Sequence, residues 1–352
     1  MVTNSSKLTS NDDFSRLGLA QSNGIYLSMS SNLNESGTLR IVGEGLYKYN
    51  LDVDFDSSDT DFKNIADVDL LKFAGDWTAG NGVISLNLGR FKYEDFSGAV
   101  FNQLSDGLYL GYDSLKFKVS LYGGCTGLLN RLDVSMVDNK YEEDDNFYAL
   151  CPMYIPVTLD FSYKALFESN TIGLQGACYI PVSDDYTMKA YGTLILNGFL
   201  GTHVSYDARF TAGFDDFKDL MLDGKLDTNF YVTKNFMVTA GGEYVSGAQG
   251  DIKPFVTLSA RSFGNAPFVN GVIVPKLALL CATNNLYAGL TERVILSMPE
   301  EDVSLDGFDT SVNLVCNVLS DVQLGCDLGA YICTEAKEKS NYYGTIKASL
   351  AF

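Results

Sequence analysis

The stretch Asn341-Tyr342-Tyr343-Gly344-Thr345-Ile346-Lys347-Ala348-Ser349-Leu350-Ala351-Phe352 divides into two faces. Read as an extended strand, it sets Tyr342, Gly344, Ile346, Ala348, Leu350 and Phe352 on one side. Tyr343, Thr345, Lys347 and Ser349 fall on the other, because successive side chains of a strand point to opposite faces. One face is apolar and the other is polar and charged.

The same pattern fills the chain. Ile25, Leu27 and Met29 alternate with Tyr26, Ser28 and Ser30. Leu39, Ile41, Tyr47, Tyr49, Leu51 and Val53 alternate with Arg40, Glu44, Lys48, Asn50, Asp52 and Asp54. Val157, Leu159, Phe161 and Tyr163 alternate with Thr158, Asp160, Ser162 and Lys164. Segments at 71–77, 84–88, 108–112, 117–121, 172–180, 186–196, 204–214, 220–232, 236–244, 252–260, 277–281, 290–298, 312–318 and 322–332 repeat it. Glu292 is the exception on an apolar face. The second face is too polar for a soluble core and needs water.

Each segment is about ten residues, which at about 3.3 Å per residue and a tilt near 40° spans roughly 25 Å. A chain of 352 residues then holds roughly 16–18 strands. The expected fold class is all-β, a transmembrane antiparallel β-barrel. Residues 12–352 are expected to form one barrel domain, and 1–11 a polar, disordered N-terminal segment. An extra strand near 13–21 makes the strand count odd. Closure demands an even number, so one segment within 185–265 must be overcounted.

Composition agrees. Hydrophobic residues make up 46%, yet mean hydropathy is only +0.03, so apolar and polar residues are finely mixed. Abundant Tyr, Phe and Gly with scarce Pro favour strands. A net charge of −19 argues against nucleic acid as a partner, since phosphate contacts need a basic surface. His203 is the single histidine, which leaves little for His-based metal sites or catalysis; it reads as a lumen or rim residue. No GxSxG, HExxH, Walker A or GxGxxG motif occurs, so no enzyme activity, metal or cofactor is expected. Taken as an EF-hand from Asp52, the Asp-rich stretch has Ser57 where Gly is needed and Lys63 where Glu is needed. Cys178, Cys281, Cys316 and Cys326 sit at apolar alternate positions as small hydrophobes. A bridge between Cys125 and Cys151 stays open on spacing alone. No apolar leader follows Met1, so an exported protein implies a processed form.

With its terminal aromatic, Asn341–Phe352 resembles the last strand of bacterial outer-membrane β-barrels. There the alternate apolar positions, here Tyr342, Ile346, Leu350 and Phe352, form the signal that the barrel assembly machinery reads. Connections at 33–37, 78–82, 113–115 and 168–170 read as tight. Those at 55–67, 90–106 and 125–151 read as long and acidic, matching the short periplasmic turns and long external loops of such barrels.

Arg90 to Gly107 looks like the constriction loop of general porins, which folds into the lumen. The likeness is one of position, and Phe91, Phe96 and Phe101 need something to pack on. Pore candidates are Arg90, Lys92, Glu94, Asp95 and Asp106 on this loop, with Lys116, Lys118, Asp207 and Arg209 on polar strand faces. The resemblance implies an outer-membrane, porin-like channel for passive diffusion of small hydrophilic solutes. It would lie in outer-membrane lipid, as monomer or homotrimer. Acids outnumber bases by 44 to 25, which predicts a mild cation preference. One alternative is a substrate-specific transporter for oligosaccharides or hydrophobic ligands, with Tyr26, Tyr109, Tyr122, Tyr179 and Tyr191 lining the lumen. Another is a surface adhesin or structural barrel.

Overall fold

Eighteen antiparallel strands hydrogen-bond into one sheet that returns on itself. The structure is a computed structural model and describes residues 1–11, 17–128, 134, 136, 148–167, 169–298, 303–334 and 340–351. The strands are β1 (Val2–Asn11), β2 (Leu17–Asn32), β3 (Leu39–Asp54), β4 (Asp59–Ala79), β5 (Gly82–Glu94), β6 (Asn102–Ser114) and β7 (Phe117–Cys125). Then follow β8 (Tyr154–Leu166), β9 (Asn170–Pro181), β10 (Lys189–Phe199), β11 (Val204–Asp215), β12 (Asp219–Thr233) and β13 (Phe236–Val245). The two-residue strands β14 (Ser262–Phe263) and β15 (Ala266–Pro267) form a separate hairpin. The wall continues with β16 (Val272–Ala282), β17 (Leu286–Ser297), β18 (Ser304–Asn317), β19 (Val322–Cys333) and β20 (Asn341–Leu350).

Closure is made by the segment expected to lie outside the barrel. Residues 2–11 are β1, paired with β2 on one side and with β20 on the other, from Val2 opposite Leu350 to Asn11 opposite Asn341. The pairing leaves no free sheet edge. The expected extra strand at 13–21 is therefore β1, and β2 begins at Leu17. Phe352 and residues 12–16 lie outside the described residues.

The overcounted strand is Ile252–Ala260. β13 pairs directly with β16, and 246–271 forms a long connection that carries only β14 and β15. Removing it leaves an even count.

Alternation places apolar side chains outward. On β8, Ile155, Val157, Leu159, Phe161 and Tyr163 are exposed, while Tyr154, Thr158 and Asp160 are buried on the lumen side. At one barrel end the connections are tight turns, such as 80–81, 115–116 and 234–235. The long connections, 126–153 and 246–271, are at the other end.

Two expected loops shrink. Only 55–58 connects β3 to β4, and only 95–101 connects β5 to β6. Above the apolar band a strand needs no apolar outward face, so Asp59 to Lys63 continue β4 while reading as loop. The strand expected to end at Gly89 runs on to Glu94. Gly89 takes φ +129°, where a Cβ would collide with the Leu71 carbonyl oxygen. Beyond it β4 and β5 part, for their pairing runs only from Leu71–Arg90 to Ala79–Gly82.

Candidate functional site: the lumen constriction

The β5–β6 loop folds inward around one carboxylate. Asp95 accepts hydrogen bonds from Ser97 Oγ at 2.7 Å, from the amides of Gly98 at 2.9 Å and Phe101 at 3.2 Å, and from Tyr179 OH at 3.3 Å. Ser97 Oγ in turn accepts from the amides of Ala99 and Val100, both at 2.9 Å. The short polar side chains thus replace the ladder that ends at Glu94. Burial pushes the Asp95 carboxyl up to about 6, outweighing hydrogen bonds that favour its charged form.

The loop is tied to the wall. Phe96 donates its amide to Gln175 Oε1 at 2.9 Å. Arg209 on β11 forks onto Asp207 and donates Nη1 to the carbonyls of Phe96 at 3.4 Å and Ser97 at 3.3 Å. Phe101 is fully buried against Tyr179, ring centroids 5.7 Å apart, and against Tyr93. Tyr93 stacks on Tyr122 at 3.7 Å. With Phe91, Tyr191 and Phe255 these rings form one buried cluster inside the wall. Tyr122, Tyr179 and Tyr191 are therefore packed core and present no ring face for stacking on a sugar, while Tyr26 and Tyr109 are half-buried.

The β13–β16 connection packs against this loop. Val100 O accepts from the amides of Leu258 at 2.8 Å and Ser259 at 2.9 Å, and Met136 of the β7–β8 connection bridges to Ser259. Three connections therefore meet inside the barrel. Arg261 pairs with Asp223 at 3.4 Å and with Glu243, and lies over the rings of Phe263 and Phe268. The β14–β15 hairpin turns at Gly264, φ +70°, where a Cβ would collide with Asp309 and Arg293. Asn265 donates its amide to Asp309 Oδ1 at 2.8 Å, and Arg293 pairs with Asp309 at 2.6 Å.

Two openings remain beside these loops. One, of about 240 Å³, lies among Gly98, Lys225, Asp227, Arg261, Lys276 and Arg293. The other, about 770 Å³, lies between the hairpin and the closing strands, lined by Lys7, Asn265, Asp327, Tyr343 and Lys347. Lys276 pairs with Asp227 at 2.6 Å and Lys347 with Asp327 at 2.5 Å. Lys7 sits 4.9 Å over the Tyr343 ring.

The structure brings Asp95, Asp207 and Arg209 together at the constriction, with Glu94 beside Gly98. It separates the rest. Arg90 is 4% exposed, forked onto Asp106 at 3.1 Å and reaching the Val68 carbonyl, so it closes the gap between β4 and β5. Lys92 is exposed on β5. Lys116 lies in the turn at the far end of β6–β7, with Lys118 just inside it. His203 lies in the tight turn between β10 and β11. Cys125 and Cys151 are not bridged, so the pairing left open by their spacing is not formed. Tyr342, Ile346 and Leu350 alternate along β20 as expected, with Ile346 66% exposed to the outside. Among the described residues no cluster of His, Cys, Asp and Glu could hold a metal ion.

Sequence reasoning passed over Lys7, Lys225, Arg261, Lys276, Arg293 and Lys347. Their signal was present, since Lys225, Lys276, Arg293 and Lys347 each occupy a polar alternate position. What hid the site was the reading of 252–260 as wall.

No protein-family model matches the chain, and no curated protein matches it. Solved structures do. Pseudomonas aeruginosa OccK7 (OpdD) superposes with a TM-score of 0.68 at 11% identity, covering 100% of this chain and 98% of that one. The outer membrane protein OpdK of the same organism gives a TM-score of 0.62 at 11% identity, over 99% and 96% of the two chains. The chain has their barrel fold. OpdK solved with vanillate superposes with a TM-score of 0.63 at 11% identity, over 99% and 96%.

Proposed function

We propose that the chain is a bacterial outer-membrane channel that passes small solutes selectively, with small carboxylates as the favoured class. The observation that carries this reading is the pair of inward loops seated on wall arginines, Gly98 on Arg209 and Gly264 on Arg293. They narrow a barrel of this strand number, which would otherwise enclose a wide aqueous lumen. The remaining openings carry lysines and arginines at hydrogen-bond reach of passing solute: Lys225, Lys276 and Arg293 on one side of the hairpin, Lys7 and Lys347 on the other. Most of these cations have an acidic neighbour, so a carboxylate can be exchanged from one to the next without deep trapping. Binding weak enough to release is what conduction requires.

The reading departs from the mild cation preference expected from net charge. Asp52, Asp54, Asp59 and Asp61 lie at the β3–β4 hairpin end and do not line either opening. The vanillate bound by OpdK, an aromatic carboxylate, is consistent with the class named. Liposome swelling tests it: an aromatic carboxylate should enter several-fold faster than a neutral sugar of similar size. Equal or slower entry of the carboxylate would contradict the reading.

A further inference from the structure

Where β4 and β5 part, a stretch of β4 is left without a strand on one side. The pairing with β5 stops at Leu71–Arg90, while the pairing with β3 runs on to Asp59. The backbone groups beside the parting find other partners. The Ala66 amide donates to Tyr148 OH at 3.0 Å and the Val68 amide to Asp67 Oδ1 at 2.7 Å. The Val68 carbonyl accepts from Arg90 at 3.5 Å.

A hollow of about 710 Å³ lies beside this stretch. Ile25, Leu27 and Tyr47 stand around it, all exposed on the outward face of the wall. Gly45 and Ala66 keep it open, since they sit opposite Leu27 and Tyr47 across the strands and carry little or no side chain. A Cβ added at Gly45 would meet only the Asp67 carbonyl oxygen, at 4.0 Å. Tyr148, from the β7–β8 connection, closes the side next to β4.

The polar side chains of this lining are already engaged. Tyr47 OH donates to Asn64 Oδ1 at 2.8 Å, Asp67 is buried facing Arg90, and Tyr148 OH holds the Ala66 amide. A polypeptide segment entering the hollow would bury N–H and C=O groups with little to pair them. A hydrocarbon chain has no such groups. The hollow is also continuous with the apolar outward face, where acyl chains are the surrounding medium. Its volume and mainly apolar lining are those of a ligand site.

We propose that this hollow is a binding site for one acyl chain of a membrane lipid. It shares no lining residue with the two openings of the solute path, so it stands apart from the solute selectivity proposed above.

Native mass spectrometry tests it. The protein is reconstituted in vesicles of dioleoylphosphatidylcholine with oleate as a minor component, extracted into detergent and weighed intact. One phosphatidylcholine per chain should remain bound. Gly45→Leu puts a side chain into the hollow where the backbone has room, and should lower the retained fraction several-fold. Tyr148→Ala, outside the wall strands, should lower it as well. Leu88→Ala, on the outward face of β5, should leave it unchanged. The heat-dependent gel shift shows that each variant is folded. No retained lipid, retention undiminished in both Gly45→Leu and Tyr148→Ala, or an equal loss in Leu88→Ala would overturn the site. Retention of oleate alone would overturn the membrane lipid as its source, and a second protein chain retained in place of lipid would overturn the acyl chain as occupant.

Discussion

A Cβ on Gly98 would stand 2.9 Å from Nη1 of Arg209, the side chain that holds the β5–β6 loop to the wall. Gly98 also takes φ +63°, a left-handed conformation that costs other residues of order 1–3 kcal/mol. Gly98→Ala should therefore loosen the loop without unfolding the barrel. Single-channel recordings should show raised current noise, with the heat-dependent gel shift unchanged.

Asp95 gives the constriction a pH response. Its carboxyl is raised to about 6 by burial, above its ordinary value near 3.9 in the unfolded chain. The folded loop therefore binds a proton more tightly than the unfolded chain does. That contribution to stability is fully present below pH ~4 and is lost as pH rises through about 6. Channel noise should increase between about pH 4 and 6 and level off above that, and Asp95→Asn should abolish the change. Recordings across that range check both.

Phe101 anchors the same loop through packing. It has no exposed surface and touches the rings of Tyr179 and Tyr93. Phe101→Ala should cost about 3–5 kcal/mol locally. Limited proteolysis should cut the variant within 95–101, where the parent protein resists.

Arg90 is buried and pairs with Asp106 on β6 at 3.1 Å and with Asp67 on β4 at 4.0 Å. Removing Asp106 strips the forked contact while Asp67 still faces the guanidinium, so the cost should fall below the roughly 3–5 kcal/mol of a fully broken buried pair. Asp106→Ala should lower the temperature of the heat-dependent gel shift. Asp106→Asn, which keeps an acceptor for the guanidinium, should lower it less.

Lys347 faces the larger opening with its side chain 56% exposed. Lys347→Glu reverses one charge beside the solute path. The reversal potential under a KCl gradient should shift toward cations relative to the parent protein.

The barrel was legible because lipid on one face and water on the other impose a period of two on each strand. The pattern fails where one of those solvents is missing. On β1 the outward positions Asn4, Ser6 and Ser10 are polar, so the closing strand read as a disordered segment. At Ile252–Ala260 the apolar residues alternate, yet Phe255 and Leu258 are buried inside the lumen and not against lipid. Periodicity alone does not separate those two burials. Parity did: an even count was required, and the surplus segment proved to be this one. The inward fold of the loop after Arg90 was legible from its phenylalanines. The partners it packs on were not, because Arg209 and Ser259 are remote in sequence.

Planar-bilayer conductance of the purified protein is the most direct test of a loop-narrowed, carboxylate-selective channel. Small, steady openings are expected, whose current falls when an aromatic carboxylate is added. A large ohmic conductance, indifferent to the carboxylate, would contradict it.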